Sequence, residues 1–367
     1  MKTAFYGLGA ALIAATAVNG MGYEVASCAE LADIDDTTVT SLTITSSPFV
    51  CDSYTRFRVR NDMVLKSDSA VEFSNFALKV LGTLTVEPDV TFQDVTQQMT
   101  HGGALYVERD SSATFLGAAS FIGNSVISVD FPPIQSAGGG FRNNYLPRNG
   151  GAVFNKGELV FEGDALFVSN EAVTTDDNNK GRGGAIYNAR VGTITFNGQL
   201  TAIDNRSDGY DEGEGGAIFN SGAITVEGAS LFTDNDSSDG GAIYNRPQGT
   251  MTFNAFANFT ENSCSDRDGG AIFSTGSMNL MGGSLFLRNI ASSNEDGGDG
   301  GGIFNGIGGS LSFGGTNTFQ GNLAFTGGAI YHEEGSSVSG GELIFENNRA
   351  DTCPDIYTRG ADPVCSP

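Results

Sequence analysis

Along its 367 residues the chain repeats, eight times and with small variations, a phrase of Gly-Gly-Ala, an aliphatic residue, an aromatic residue and Asn. The phrase opens as Gly102-Gly103-Ala104-Leu105-Tyr106. It returns at Gly150–Asn155, Gly183–Asn188, Gly215–Asn220, Gly240–Asn245, Gly269–Ser274, Gly300–Asn305 and Gly327–His332. Successive starts lie 48, 33, 32, 25, 29, 31 and 27 residues apart. A period of this size marks a stacked solenoid, because one unit of about thirty residues cannot bury its own apolar face.

The unit that starts at Gly215 shows how a coil is built. Gly-Gly-Ala-Ile-Phe-Asn is a short strand entered through a glycine turn, and Ser221-Gly222 turns the chain into a second strand, Ala223-Ile224-Thr225-Val226. Glu227-Gly228 turns it again into Ser230-Leu231-Phe232, which closes at Thr233-Asp234-Asn235. Three such strands make one rung of a parallel β-helix, with inward side chains stacked on the rungs above and below. The third strand carries a second phrase, Phe-x-x-Asn, at Phe121/Asn124, Phe167/Asn170, Phe232/Asn235, Phe259/Asn262, Phe286/Asn289, Phe319/Asn322 and Phe345/Asn348. Ala202 takes the Phe place before Asn205. Equal places become columns, so these asparagines, with Asn155, Asn188, Asn220, Asn245 and Asn305, are expected to form structural ladders. Each amide would use its donor and acceptor on neighbours about 4.8 Å away.

Residues 28–100 lack the glycine phrase but alternate like strands, and read as an N-terminal cap with about two degenerate coils. The repeats proper occupy 101–350, with a long insertion at 125–149, and 351–367 reads as a C-terminal cap. Residues 1–20 read as a secretion leader, Lys2 followed by an apolar run, with cleavage between 20 and 27. No other stretch approaches the roughly 20 apolar residues of a bilayer span. The chain carries 19 Lys+Arg against 43 Asp+Glu, a net charge of −24, which excludes phosphate backbones and anionic headgroups as natural partners. Four of the five cysteines sit at the ends. Cys28 with Cys51 and Cys353 with Cys365 would staple the caps in an oxidising compartment, while Cys264 falls in an acidic loop.

Gly-Gly-Ala-Ile followed in register by Phe-x-x-Asn resembles the repeat of the chlamydial polymorphic membrane proteins, over roughly 102–357. The resemblance implies an all-β chain, a single right-handed parallel β-helix of about ten coils displayed outside the cell, and in the chlamydial group a role in adhesion. In those relatives an outer-membrane barrel follows the repeats; no barrel sequence is recognised before Pro367.

Two function classes follow. The first is a secreted or cell-surface structural or adhesive protein that offers a repetitive acidic surface to extracellular glycans or surface proteins. The alternative is a polysaccharide-active enzyme, of the pectate or alginate lyase, hydrolase or epimerase kind, in a loop-lined groove. Such a site needs basic groups beside carboxylates, and Arg142, Arg148 and Lys156 near the 125–149 insertion are the candidates. The two histidines, His101 and His332, read as a turn residue and a ladder substitute. The acidic loops before the glycine turns are expected to share one edge, either as a solvated face or as a site where Ca2+ bridges Asp211, Glu212, Asp236, Asp239, Asp266, Asp268, Asp296 and Asp299. No other cofactor is implied. Of three Asn-x-Ser/Thr sequons, Asn205 and Asn235 are ladder positions, which leaves Asn258 as the glycan acceptor.

Overall fold

An inward-facing residue of one coil completes its burial against the coils before and after it, so the repeat folds by stacking. The computed structural model describes residues 17–18, 22–34, 36–97, 101–127, 134–135, 141–142, 148–174, 180–209, 213–292, 297–360 and 364–366. Among these the chain winds as a right-handed parallel β-helix with no α-helix. On the first face Ile218–Asn220 pairs in register with Ile186–Asn188 before it and Ile243–Asn245 after it. The second face places Ala223–Val226 between Thr193–Phe196 and Thr250–Phe253, and the third places Ser230–Thr233 between Leu200–Ile203 and Ala257–Thr260. Burial alternates along the second and third strands, as a strand with one face on a core requires.

The sequence reads a three-sided coil that closes at Asn235. The structure adds a fourth ladder of two- and three-residue strands, from Thr96–Gln97 through Asp236–Ser237 to Ile290–Ala291. A short fifth ladder joins Arg148–Asn149, Gly181–Arg182 and Gly213–Glu214. Segments this short carry no readable alternation. Cys264 belongs to this fourth ladder, between Ser237 and Ala291, and is buried there rather than lying in an acidic loop. Burial raises its thiol pKa well above the ordinary value.

The core is built from columns. Phe73, Phe92, Phe121 and Phe167 stack with ring centroids 5.0, 5.3 and 5.0 Å apart, and the column resumes from Phe232 through Phe259 and Phe286 to Phe319. Ala202 interrupts it. Two residues earlier on the same strand, Leu200 occupies a column otherwise held by Ala165 and Ser230, so large and small are exchanged within one rung.

The two glycines of each phrase have different causes. Gly215 has φ +70°, a left-handed conformation that side chains disfavour. A Cβ on Gly216 would lie 2.1 Å from the carbonyl oxygen of Gly241 in the next coil, so close approach excludes any side chain there.

At the N-terminal end Gly22–Val25 pairs in parallel with Ser41–Ile44, Val25 is buried, and Cys28 is bonded to Cys51. Most of the expected leader lies outside the described residues. Cleavage late in the 20–27 window would remove the Gly22–Val25 strand. At the other end Val364–Ser366 lies antiparallel on Ile356–Thr358, and Cys353 is bonded to Cys365. Among the described residues Ser337–Glu346 pairs only with Ser310–Gln320, leaving its outer edge open. No helix among them is long and apolar enough to cross a membrane.

Candidate binding face

The motif asparagines form two columns. In one, the Nδ2 of Asn124 donates to Asn170 Oδ1 at 3.0 Å, and the chain of bonds continues through Asn205, Asn235, Asn262, Asn289 and Asn322 to Asn348. The Nδ2 groups also donate to the carbonyl of the Phe position one coil back, as Asn262 does to Phe232. In the other column Asn155, Asn188, Asn220 and Asn245 are linked at 2.9 Å. Asn245 then donates to Ser274 Oγ, and Asn305 meets His332 Nδ1 at 3.3 Å. Asn305 Oδ1 is buried without a partner. These residues point inward and are closed to ligands.

The outward residue beside that second column is the aromatic one. Tyr106, Phe154, Tyr187, Phe219, Tyr244, Phe273, Phe304, Tyr331 and Tyr357 stack in a continuous stripe, with successive centroids 4.7 to 5.5 Å apart. Sequence reasoning did not single out this stripe. Alternation was the available clue: an aromatic between a buried Ile and a buried Asn must face out. Each ring face is covered by the next ring, and Tyr106, Phe154, Phe219, Phe304 and Tyr331 are buried, so the stripe offers solvent mainly the edges of Tyr187, Tyr244, Phe273 and Tyr357.

A column of charged residues that precede the glycine pairs flanks the stripe. Arg182 is in register with Glu214, and Glu214 with Asp239; the column continues to Asp268 and Asp299. Glu214 is buried and takes Lys180 at 3.1 Å and Arg182 at 2.7 Å, while Arg246 reaches it at 3.5 Å from the far side of the stripe. Burial alone would raise its carboxyl; the Arg182 and Lys180 charges outweigh that and hold it below the usual range. Asp239 and Asp268 have weaker compensation. Burial, chiefly, lifts them to about 7 and about 6, with Arg267 opposing at 3.7 Å from Asp239.

The remaining expected acidic residues are elsewhere or outside the described residues. Asp236 accepts the Ser263 hydroxyl at 2.7 Å and lies 3.8 Å from Arg206, and Asp266 is exposed. Asp211, Glu212 and Asp296 lie outside the described residues. Among those described, no three such carboxylates gather around one point. Asn258 is outward and half-buried, and its Oδ1 accepts the Thr260 hydroxyl of its own sequon at 2.7 Å.

Where the stripe begins, the charge is reversed. His101 stacks on Phe154 at 4.6 Å, and Lys156 donates to the Tyr106 hydroxyl at 2.9 Å. Burial, then the charges of Lys156, Arg148 and Arg56, push His101 down to about 4, so its imidazole is neutral at physiological pH. Arg148 and Lys156 thus converge on His101, which had read as a plain turn residue; the side chain of Arg142 lies outside the described residues.

Over 194 residues the chain is 30% identical to the probable outer membrane protein pmp19 of Chlamydia pneumoniae. The match takes in 48% of this chain and 18% of that protein, so the chain spans a small part of the relative's length. No protein-family model matches the chain, and no solved structure matches it.

Proposed function

We propose that this repeat protein, whose coils are of the chlamydial polymorphic outer membrane protein kind, is a display solenoid held at the cell surface that engages extracellular glycans or surface proteins. The relative's name supports a surface location. The observation that carries the display reading is the register of the outer face, where one aromatic position recurs from Tyr106 to Tyr357 and one charged position from Arg182 to Asp299. Equivalent contacts at about 4.8 Å intervals favour many weak bonds over one deep pocket, and linked weak bonds gain strongly in avidity. The test is binding of the purified chain to glycan or cell-protein surfaces of graded density. Retention that rises steeply with density supports the reading; density-independent attachment to one ligand overturns it.

A second reading has one observation in its favour. The neutral His101, stacked on Phe154 within reach of the Lys156 and Arg148 charges, supplies a base and cations of the kind used for proton abstraction next to a carboxylate. New chain ends appearing in pectate or alginate, with or without Ca2+, and disappearing in Lys156→Gln, would make the protein an enzyme; unchanged polymer would remove that reading.

A further inference from the structure

The few basic residues of this acidic chain are not evenly spread. Arg58 is in register with Lys79, and Lys79 with Tyr106, so two cations head the aromatic stripe in its own column. The Lys79 ammonium lies 4.7 Å from the centre of the Tyr106 ring, and that of Lys156 lies 5.5 Å from it. Arg56 donates to the Gly102 carbonyl at 3.3 Å, and Arg148 is 2% exposed. The Nδ1 of His101, in their midst, is buried without a partner. Glu108 is the carboxylate Lys79 and Lys156 share, at 3.9 and 3.7 Å.

We infer that the patch of Arg56, Arg58, Lys79 and Lys156, with Arg148 buried behind it, binds an oxyanion carried on a saccharide, the carboxylate of a uronate polymer or the sulfate of a sulfated one. Glu108 offsets only part of the like charge gathered here, which a bound anion would offset further, and guanidinium groups pair with carboxylate or sulfate oxygens two at a time. The saccharide part follows from the surroundings. The patch borders Tyr106, which is 8% exposed and whose hydroxyl meets Lys156, and coils advance by about 4.8 Å, close to the advance of one pyranose unit in an extended chain. Beyond Glu214 the flanking column turns acidic, which limits an anionic chain to the N-terminal coils and repels a long phosphate duplex. One patch suffices, so the inference does not rest on multivalent display.

The experiment is calorimetric titration of the whole chain with oligogalacturonate, its fully methyl-esterified form, a heparin-derived oligosaccharide and poly-glutamate. The acid sugar is expected to bind with one-to-one stoichiometry, and esterification, Lys79→Gln or Lys156→Gln each to weaken binding about tenfold. Arg349→Gln, at the far end of the solenoid, should leave it unchanged. These lysines are part-exposed, and circular dichroism of each variant checks the fold. Tighter binding of the heparin fragment assigns sulfate over carboxylate. Equal binding of the acid and ester forms, absence of binding to both anionic sugars, or poly-glutamate binding as tightly as either would overturn the inference.

Discussion

Ser274 stands where the coils before and after it have Asn245 and Asn305. Its hydroxyl turns to the Gly276 carbonyl, at 3.4 Å, and Asn305 Oδ1 is left buried and unpaired. Ser274→Asn should rejoin the ladder and stabilise the protein by about 1 kcal/mol, read as a higher urea midpoint. Leu200 and Ala202 make a second argument of this kind. Ala202→Phe alone should overpack the rung and destabilise by about 1–3 kcal/mol. Adding Leu200→Ala should recover most of the loss, a non-additivity that a double-mutant cycle measures. Ser274 and Ala202 were visible in the sequence as departures from their phrases. The answering role of Leu200 was not, since it depends on which residues share a column.

Each coil's first face begins at a glycine pair, and the pair tolerates little. With a neighbouring carbonyl oxygen 2.1 Å from the place a Cβ would take, Gly216→Ala should cost more than about 3 kcal/mol, or prevent folding, in thermal denaturation. The acidic column beside that pair makes stability depend on pH. Asp239 and Asp268 titrate above the unfolded carboxylate range, near 7 and 6, chiefly through burial. Between about pH 4 and those values the folded chain holds protons that the unfolded chain has released. Their contribution therefore favours folding below about pH 4 and is lost as pH rises through 6 and 7. Asp239→Asn should stabilise by about 2–3 kcal/mol at pH 8 and by little at pH 4, in urea titrations at both pH values. The sequence placed these acids on a shared edge. It could not tell that Asp239 faces a nearly closed environment while Asp266 is exposed, because both lie in loops without alternation.

For the whole molecule, the architecture was legible because two phrases recur in register, and a period alone dictates stacking. The cationic patch was not. Arg56, Arg58 and Lys79 are far in sequence from Arg148 and Lys156, and only the stacking of coils across the 125–149 insertion brings them to one end of one face. The solenoid is thus polarised along that face, basic at its start and acidic from Glu214 to Asp299, under a net charge that reveals neither. The aromatic stripe has a further consequence, in optics. The chain has no tryptophan, and five of its ten tyrosines, Tyr106, Tyr187, Tyr244, Tyr331 and Tyr357, lie in the stripe. Half of the tyrosines that give its ultraviolet emission therefore lie on one line along the solenoid, with rings close enough to pass excitation along it. The folded protein carries its own unlabelled reporter of whatever settles on that face.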